Sequence, residues 1–85
     1  MMDIIVKKEY IENLKLSGNK LLIYSYIATY IQKGRNSYSL GLKHLQKALN
    51  INRSTVLDNL KLLSESRVLI KTIGPVGEAD TYQLP

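Results

Sequence analysis

Residues 41–66, GLKHLQKALNINRSTVLDNLKLLSES, constrain this chain more than any other stretch. Two helical periods lie here with only a tripeptide between them. Leu42, Leu45, Ala48 and Leu49 recur at spacings of three and four, and so do Val56, Leu60 and Leu63. Each set defines one apolar face of a helix. The helices are expected over about residues 41–49 and 53–66. Asn50-Ile51-Asn52 is too short for anything but a tight turn, which forces a steep crossing, with Ile51 turned inward. Asn52 suits the N-cap of the second helix, because its side-chain oxygen can accept from an amide left free at the helix start.

The flanking segments extend the pattern. NKLLIYSYIATYIQKG predicts an earlier long helix over about residues 18–33. Ser17 is its candidate N-cap, Gly34 its left-handed end, and Ile23, Ile27 and Ile31 its inner face. Ser25, Thr29 and Gln32 are then expected on the opposite, polar face. Leu21, Leu22 and Tyr26 widen the apolar stripe beyond what a small core needs, so the N-terminal arm or a second protomer should cover them. Tyr38 to Leu40 is a candidate short strand. Val68 to Ile73 is β-branched, GPVGEAD is a turn, and TYQLP alternates, which together read as a hairpin. Residues 3–8, DIIVKK, suit an edge strand or an extended arm, and EYIENLKLS a helical turn or a loop. The fold class is α+β, mainly α. Residues 1–16 form an arm or short strand, and residues 17–85 one domain of three helices plus a C-terminal hairpin. A chain of 85 residues supports one small core.

Charge is distributed unevenly. The formal net charge is +5, yet no acid occurs between Glu12 and Asp58. That interval carries Lys15, Lys20, Lys33, Arg35, Lys43, Lys47 and Arg53. One part of the surface should be positive, the signature of a polyanionic partner; the plain alternative is a solvated lysine face. With no cysteine and a single histidine, His44, there is no thiolate metal site and no phosphate-binding glycine loop. His44 reads as a surface residue. No enzyme activity, cofactor or metal is expected. No apolar run reaches the length of a membrane span, so no membrane partner is expected, and the expected location is cytoplasmic.

Leu45, the turn Asn50-Ile51-Asn52, Ser54-Thr55-Val56, Leu60, Leu63 and Val68-Leu69-Ile70 resemble the winged helix-turn-helix family of DNA-binding domains. The resemblance covers about residues 17–85, with residues 68–84 as the wing. It implies a double-stranded DNA partner met by the start of the last helix. Arg53, Ser54, Thr55, Leu57 and Asp58 would face the groove. Lys61, Lys43 and Lys47 would meet phosphates, with Lys33 and Arg35 as outlying cations and Lys71 at the wing base. Leu57 suits a thymine methyl; Asp58 suits a cytosine amine or an ion pair with Arg53 or Lys61.

This sequence departs from the family pattern in three places. Leu57 and Asp58 replace polar or basic groups. Arg67 stands where glycine usually follows the last helix, so its backbone is expected at positive φ. The wing tip carries Glu78 and Asp80 and no cation, which speaks against insertion into the minor groove. Leu16-Ser17-Gly18 and Leu22-Ile23-Tyr24 are also similar to the opening helix of replication initiators and replisome organisers of phages and plasmids. That similarity implies mobile-element DNA maintenance, whether replication, partition, transfer or transcriptional control. A homodimer through the first long helix and the arm is expected. The same fold also serves as a protein-protein module, and Leu57, Leu62 and the acidic wing keep that alternative open.

Overall fold

The computed structural model describes residues 3–85. An extended arm leads into α1 (Lys8–Glu12), followed by α2 (Gly18–Gln32), α3 (Leu42–Leu49), α4 (Arg53–Glu65), β1 (Ile70–Thr72) and β2 (Thr81–Gln83). The result is a small, mainly helical α+β fold with four helices and one antiparallel hairpin. The hairpin pairs Ile70 with Gln83, Lys71 with Tyr82 and Thr72 with Thr81. The strand expected over Val68–Ile73 is thus shorter, and Leu69 is buried just before it. The expected strand at Tyr38–Leu40 reduces to one bridge, Tyr38 to Tyr82.

The core lies between α2 and α4, closed by α3. Ile23, Ile27, Leu45, Val56, Leu60, Leu63 and Leu69 are buried in it. Complete burial stabilises each such side chain by roughly 1.5–3 kcal/mol. Val56, Leu60 and Leu63 fulfil the stripe expected of α4. The α3 stripe is narrower than its spacing predicts. Leu45 is buried, Leu42 and Leu49 are half-buried, and Ala48 is exposed, because α3 contacts its neighbours along one edge only.

The polar face expected on α2 must be corrected. Gln32 is exposed, but Ser25 and Thr29 are buried. The N-terminal arm folds back across this face. The Ile5 N–H donates to Thr29 Oγ1 at 3.0 Å, and the Thr29 hydroxyl donates to the Ser25 carbonyl at 2.7 Å. The arm carries no strand. It is an extended segment whose free backbone donor is met by a side chain, as burial requires. α1 packs beside it, with Tyr10 edge-on to Tyr24 at 4.8 Å between ring centroids. Tyr10 and Leu16 belong to the same core cluster as α2 and α4. Of the wide apolar stripe of α2, Tyr26 is buried within the chain, while Leu21 and Leu22 are half-buried. What remains exposed and apolar at this end is Ile5, Val6 and Ile11. Ser17 holds the N-cap position of α2 but makes no side-chain capping bond.

Among the residues at positive φ, Asn50, Gly34 and Arg67 end helices. Asn50, at φ 54°, closes α3 by donating its N–H to the Gln46 carbonyl. Asparagine tolerates this conformation better than most residues, and it turns the chain within one step toward Asn52. Gly34 ends α2 at φ 98°. Arg67, at φ 64°, bears out the positive φ expected after α4. There the Val68 and Leu69 amides both donate to the Leu63 carbonyl, so the strain at Arg67 accompanies a satisfied helix end.

Candidate nucleic-acid interface

The start of α4 is built by Asn52. Its side-chain Oδ1 accepts from the Thr55 N–H at 2.9 Å and from the Ser54 hydroxyl at 2.9 Å. The first intrahelical bond runs from the Val56 N–H to the Asn52 carbonyl. The amides of Arg53 and Ser54 lie ahead of it, available to solvent or to an anion at the positive end of the helix. The capping reading is borne out. The hydroxyls expected to face a groove behave differently: Ser54 gives its proton to Asn52, and Thr55 is half-buried.

A concave groove of about 710 Å³ runs beside this helix start. Lys43 and Gln46 of α3 and Arg53 and Leu57 of α4 form one wall, and Lys71, Glu78 and Asp80 of the hairpin form the other. Tyr38, Leu45 and Leu60 lie at its floor. Arg53 and Leu57 share a helix face because they are four residues apart. Asp58 falls about 140° round the helix from Arg53 and Lys61 about 80°; both are exposed and stand outside the groove. Among the described residues Asp58 forms no ion pair, so the expected pairing with Arg53 or Lys61 is absent. Leu62 is also exposed.

The two walls differ in charge. The helical wall carries Lys43 and Arg53 and no acid. On the hairpin, Lys71 Nζ lies 3.4 Å from Asp80 Oδ2, so the one basic group at its base is largely neutralised. Asp80 also accepts from the Gly74 N–H at 3.0 Å, and that bond, with Lys71, holds its carboxyl below the usual aspartate range. Glu78 is exposed beside it, and Ile73 and Val76 project from the tip, Val76 completely. This arrangement agrees with the sequence expectation of a tip without cations.

Lys47 occupies a second hollow, of about 530 Å³, on the far side of Leu40. It joins Lys33 and Arg35 there, around Tyr26, Tyr30 and His44. The Arg35 guanidinium lies over the Tyr30 ring, 4.3 Å from its centroid. The Tyr26 hydroxyl and His44 Nε2 share a hydrogen bond of 2.6 Å. The structure thus brings Arg53, Lys43, Leu57 and Lys71 to one groove and places Lys47 in its neighbour.

Tyr38, expected to begin a short strand, has a side-chain role that sequence reading missed. Its backbone pairs both ways with Tyr82, N–H to carbonyl at 2.8 and 2.9 Å. Its ring packs edge-on against Tyr30 at 5.2 Å and Tyr26 at 6.3 Å. Its hydroxyl donates to the Gly41 carbonyl at 3.2 Å. Burial pushes this phenol well above its usual range. One residue therefore ties the hairpin, by its backbone, to α2 and the entry of α3, by its side chain. An isolated tyrosine in the polar segment RNSYS carries no periodicity that would reveal this.

No protein-family model matches the chain, and no curated protein or solved structure does either. Among the described residues no helix is long and apolar enough to cross a membrane.

Proposed function

We propose that this chain is a winged helix-turn-helix that binds double-stranded DNA, with the start of α4 facing the major groove. One observation carries the reading. Arg53, Lys43 and Leu57 share a wall of a single groove at the capped, amide-bearing end of an exposed helix. Arg53 suits a guanine edge, Leu57 a thymine methyl, and Lys43 a phosphate. Lys47 and Lys61 flank this surface as further phosphate contacts. The acid-bearing hairpin does not grip the backbone. Mobile-element replication, transfer or transcriptional control is the setting we favour, from the similarity of residues 16–24 to phage and plasmid initiators.

A titration with a duplex library at several salt concentrations tests the proposal. If two copies neutralise six to eight phosphates, log affinity falls with log salt at a slope of about −5 to −7. Half-sites would then lie about 34–36 Å apart. Arg53→Ala is expected to weaken the preferred duplex by about 1–3 kcal/mol and to relax one base position. Lys43→Ala is expected to weaken all sequences alike. Affinity indifferent to both salt and Arg53→Ala would overturn the reading.

The acidic hairpin favours a second reading, a protein-interaction module. Ile73 and Val76 are exposed at its tip beside Glu78, and Leu57 and Leu62 are exposed on α4. If that reading holds, Val76→Glu abolishes capture of the partner while Lys43→Ala has no effect.

A further inference from the structure

The hollow between α2, α3 and the Arg35 segment has a chemistry that the duplex reading does not use. Its floor is aromatic, formed by Tyr26 and Tyr30 with the His44 ring, and Ile4 and Ala48 close its apolar sides. Three cations, Lys33, Arg35 and Lys47, stand around it, and among the described residues no Asp or Glu lines it. Two of its side chains are pre-set. Arg35 lies over Tyr30, so one guanidinium face is held against a ring and the other is left for a planar group. Tyr26 is held by His44 through their shared hydrogen bond.

A free guanidinium face backed by a tyrosine ring, inside an acid-free ring of cations, suits a ligand with planar rings and regularly spaced negative charge. The bases of a duplex are already stacked on one another and cannot use such a floor. An inorganic anion would use the cations but not the rings. A free mononucleotide would favour an enclosed cavity, whereas Lys33, Arg35, His44 and Lys47 are all exposed and the hollow is open to a passing chain. Stacking platforms combined with a basic track are how single strands are held without sequence readout.

We infer that this second hollow binds a segment of single-stranded DNA, stacking an unpaired base on the outer face of the Arg35 guanidinium, which Tyr30 backs, while Lys33 and Lys47 take the adjoining phosphates. Because Leu40 lines both concavities, a strand leaving a duplex in the α3–α4 groove would meet it directly. The inference does not depend on the duplex reading: Lys47 is assigned to both, but Arg53 and Lys43 serve only the duplex, and Tyr30, Lys33 and Arg35 only the single strand.

The test uses the whole chain and four probes: a six-nucleotide thymidine strand, a blunt G·C-rich duplex of roughly twenty base pairs, long enough to stay paired, thymidine monophosphate and inorganic phosphate. Nuclear magnetic resonance follows the ring signals of Tyr26, Tyr30 and His44. The single strand is expected to shift all three saturably, at concentrations where the other probes do not. Lys33→Ala with Arg35→Ala is expected to weaken the single strand about tenfold or more. Arg35→Lys keeps the charge but not the plane, and is expected to weaken it by about threefold. Because both sets of substitutions lie on the exposed rim, their thermal transitions are expected to match that of the unsubstituted chain. Equal shifts from thymidine monophosphate or from phosphate would overturn the inference, the former leaving a mononucleotide site and the latter an anion site. Ring signals that stay still, or a charge-removing pair without effect, would overturn it too. Failure of the duplex reading would show separately, as duplex affinity indifferent to Arg53→Ala.

Discussion

The helical half and the hairpin half of this molecule face each other across one groove and are held together in different ways. The helical half rests on side chains with no solvent contact, Ile23, Ile27, Leu45, Val56 and Leu63, and its exposed wall is basic. The hairpin has two strands of three residues. β1 is exposed along its length, and Tyr82 is the only strand residue that is buried. Two short strands are marginal alone in water. The hairpin keeps its place because Tyr38 pairs with Tyr82 and because Asp80 ties Gly74 to Lys71. The contrast teaches that the groove has one rigid wall and one attached wall. The candidate contact groups on the helical wall stand on a packed core, while the hairpin differs from that wall in charge and shape.

The largest expected effect lies in the core. Leu63→Ala is expected to cost about 2–5 kcal/mol, because it removes a buried side chain from a site that collapses only in part. Denaturant unfolding measures it, and a loss below 1 kcal/mol would put the core elsewhere. Gly74→Ala is next. An added Cβ would run into the Ala79 carbonyl oxygen, so a cost of about 1–3 kcal/mol is expected. The loss should be local: hairpin amides exchange faster while α2 and α4 amides keep their protection. Equal loss in both halves would erase the contrast.

Asn52→Ala sharpens the comparison from the helical side. Removing the cap is expected to cost about 0.5–2 kcal/mol, and it should also disorder the Ser54 hydroxyl that Asn52 now holds. The smallest effect is acidification. Asp80 is held below its usual range by Gly74 and Lys71. A group with a lowered folded-state value contributes fully above the ordinary aspartate range and loses that contribution as pH falls through the folded value. The Gly74 amide signal is therefore expected to move only below about pH 4, with α4 signals unchanged. Movement near neutral pH would mean that another group holds the hairpin.

The parts of the candidate site that were legible in the sequence are those set by neighbours a few residues away. The capping bond of Asn52 spans three residues, the Arg53–Leu57 face spans four, and the positive φ of Arg67 follows from the helix end beside it. Asp58, expected at the groove, stands outside it because the helix turns it well away from Arg53. The misplaced hydroxyl of Ser54 has the same origin: the motif suggested an outward donor, and the cap two residues back had already claimed it.

The three longer helices, their order, the tight turn and the excess of cations before Asp58 were determined by the sequence alone, because helical periodicity, capping and charge counting act over one or two turns. Tertiary structure alone decided that the arm buries Ser25 and Thr29, that Tyr38 anchors the hairpin, that Asp80 neutralises Lys71, and that Lys47 parts from Lys43 to join Lys33 and Arg35. Each of these rests on groups brought together by the packing of separate elements. A backbone donor or a charge takes the partner that the fold places within reach, and a linear pattern does not carry that distance.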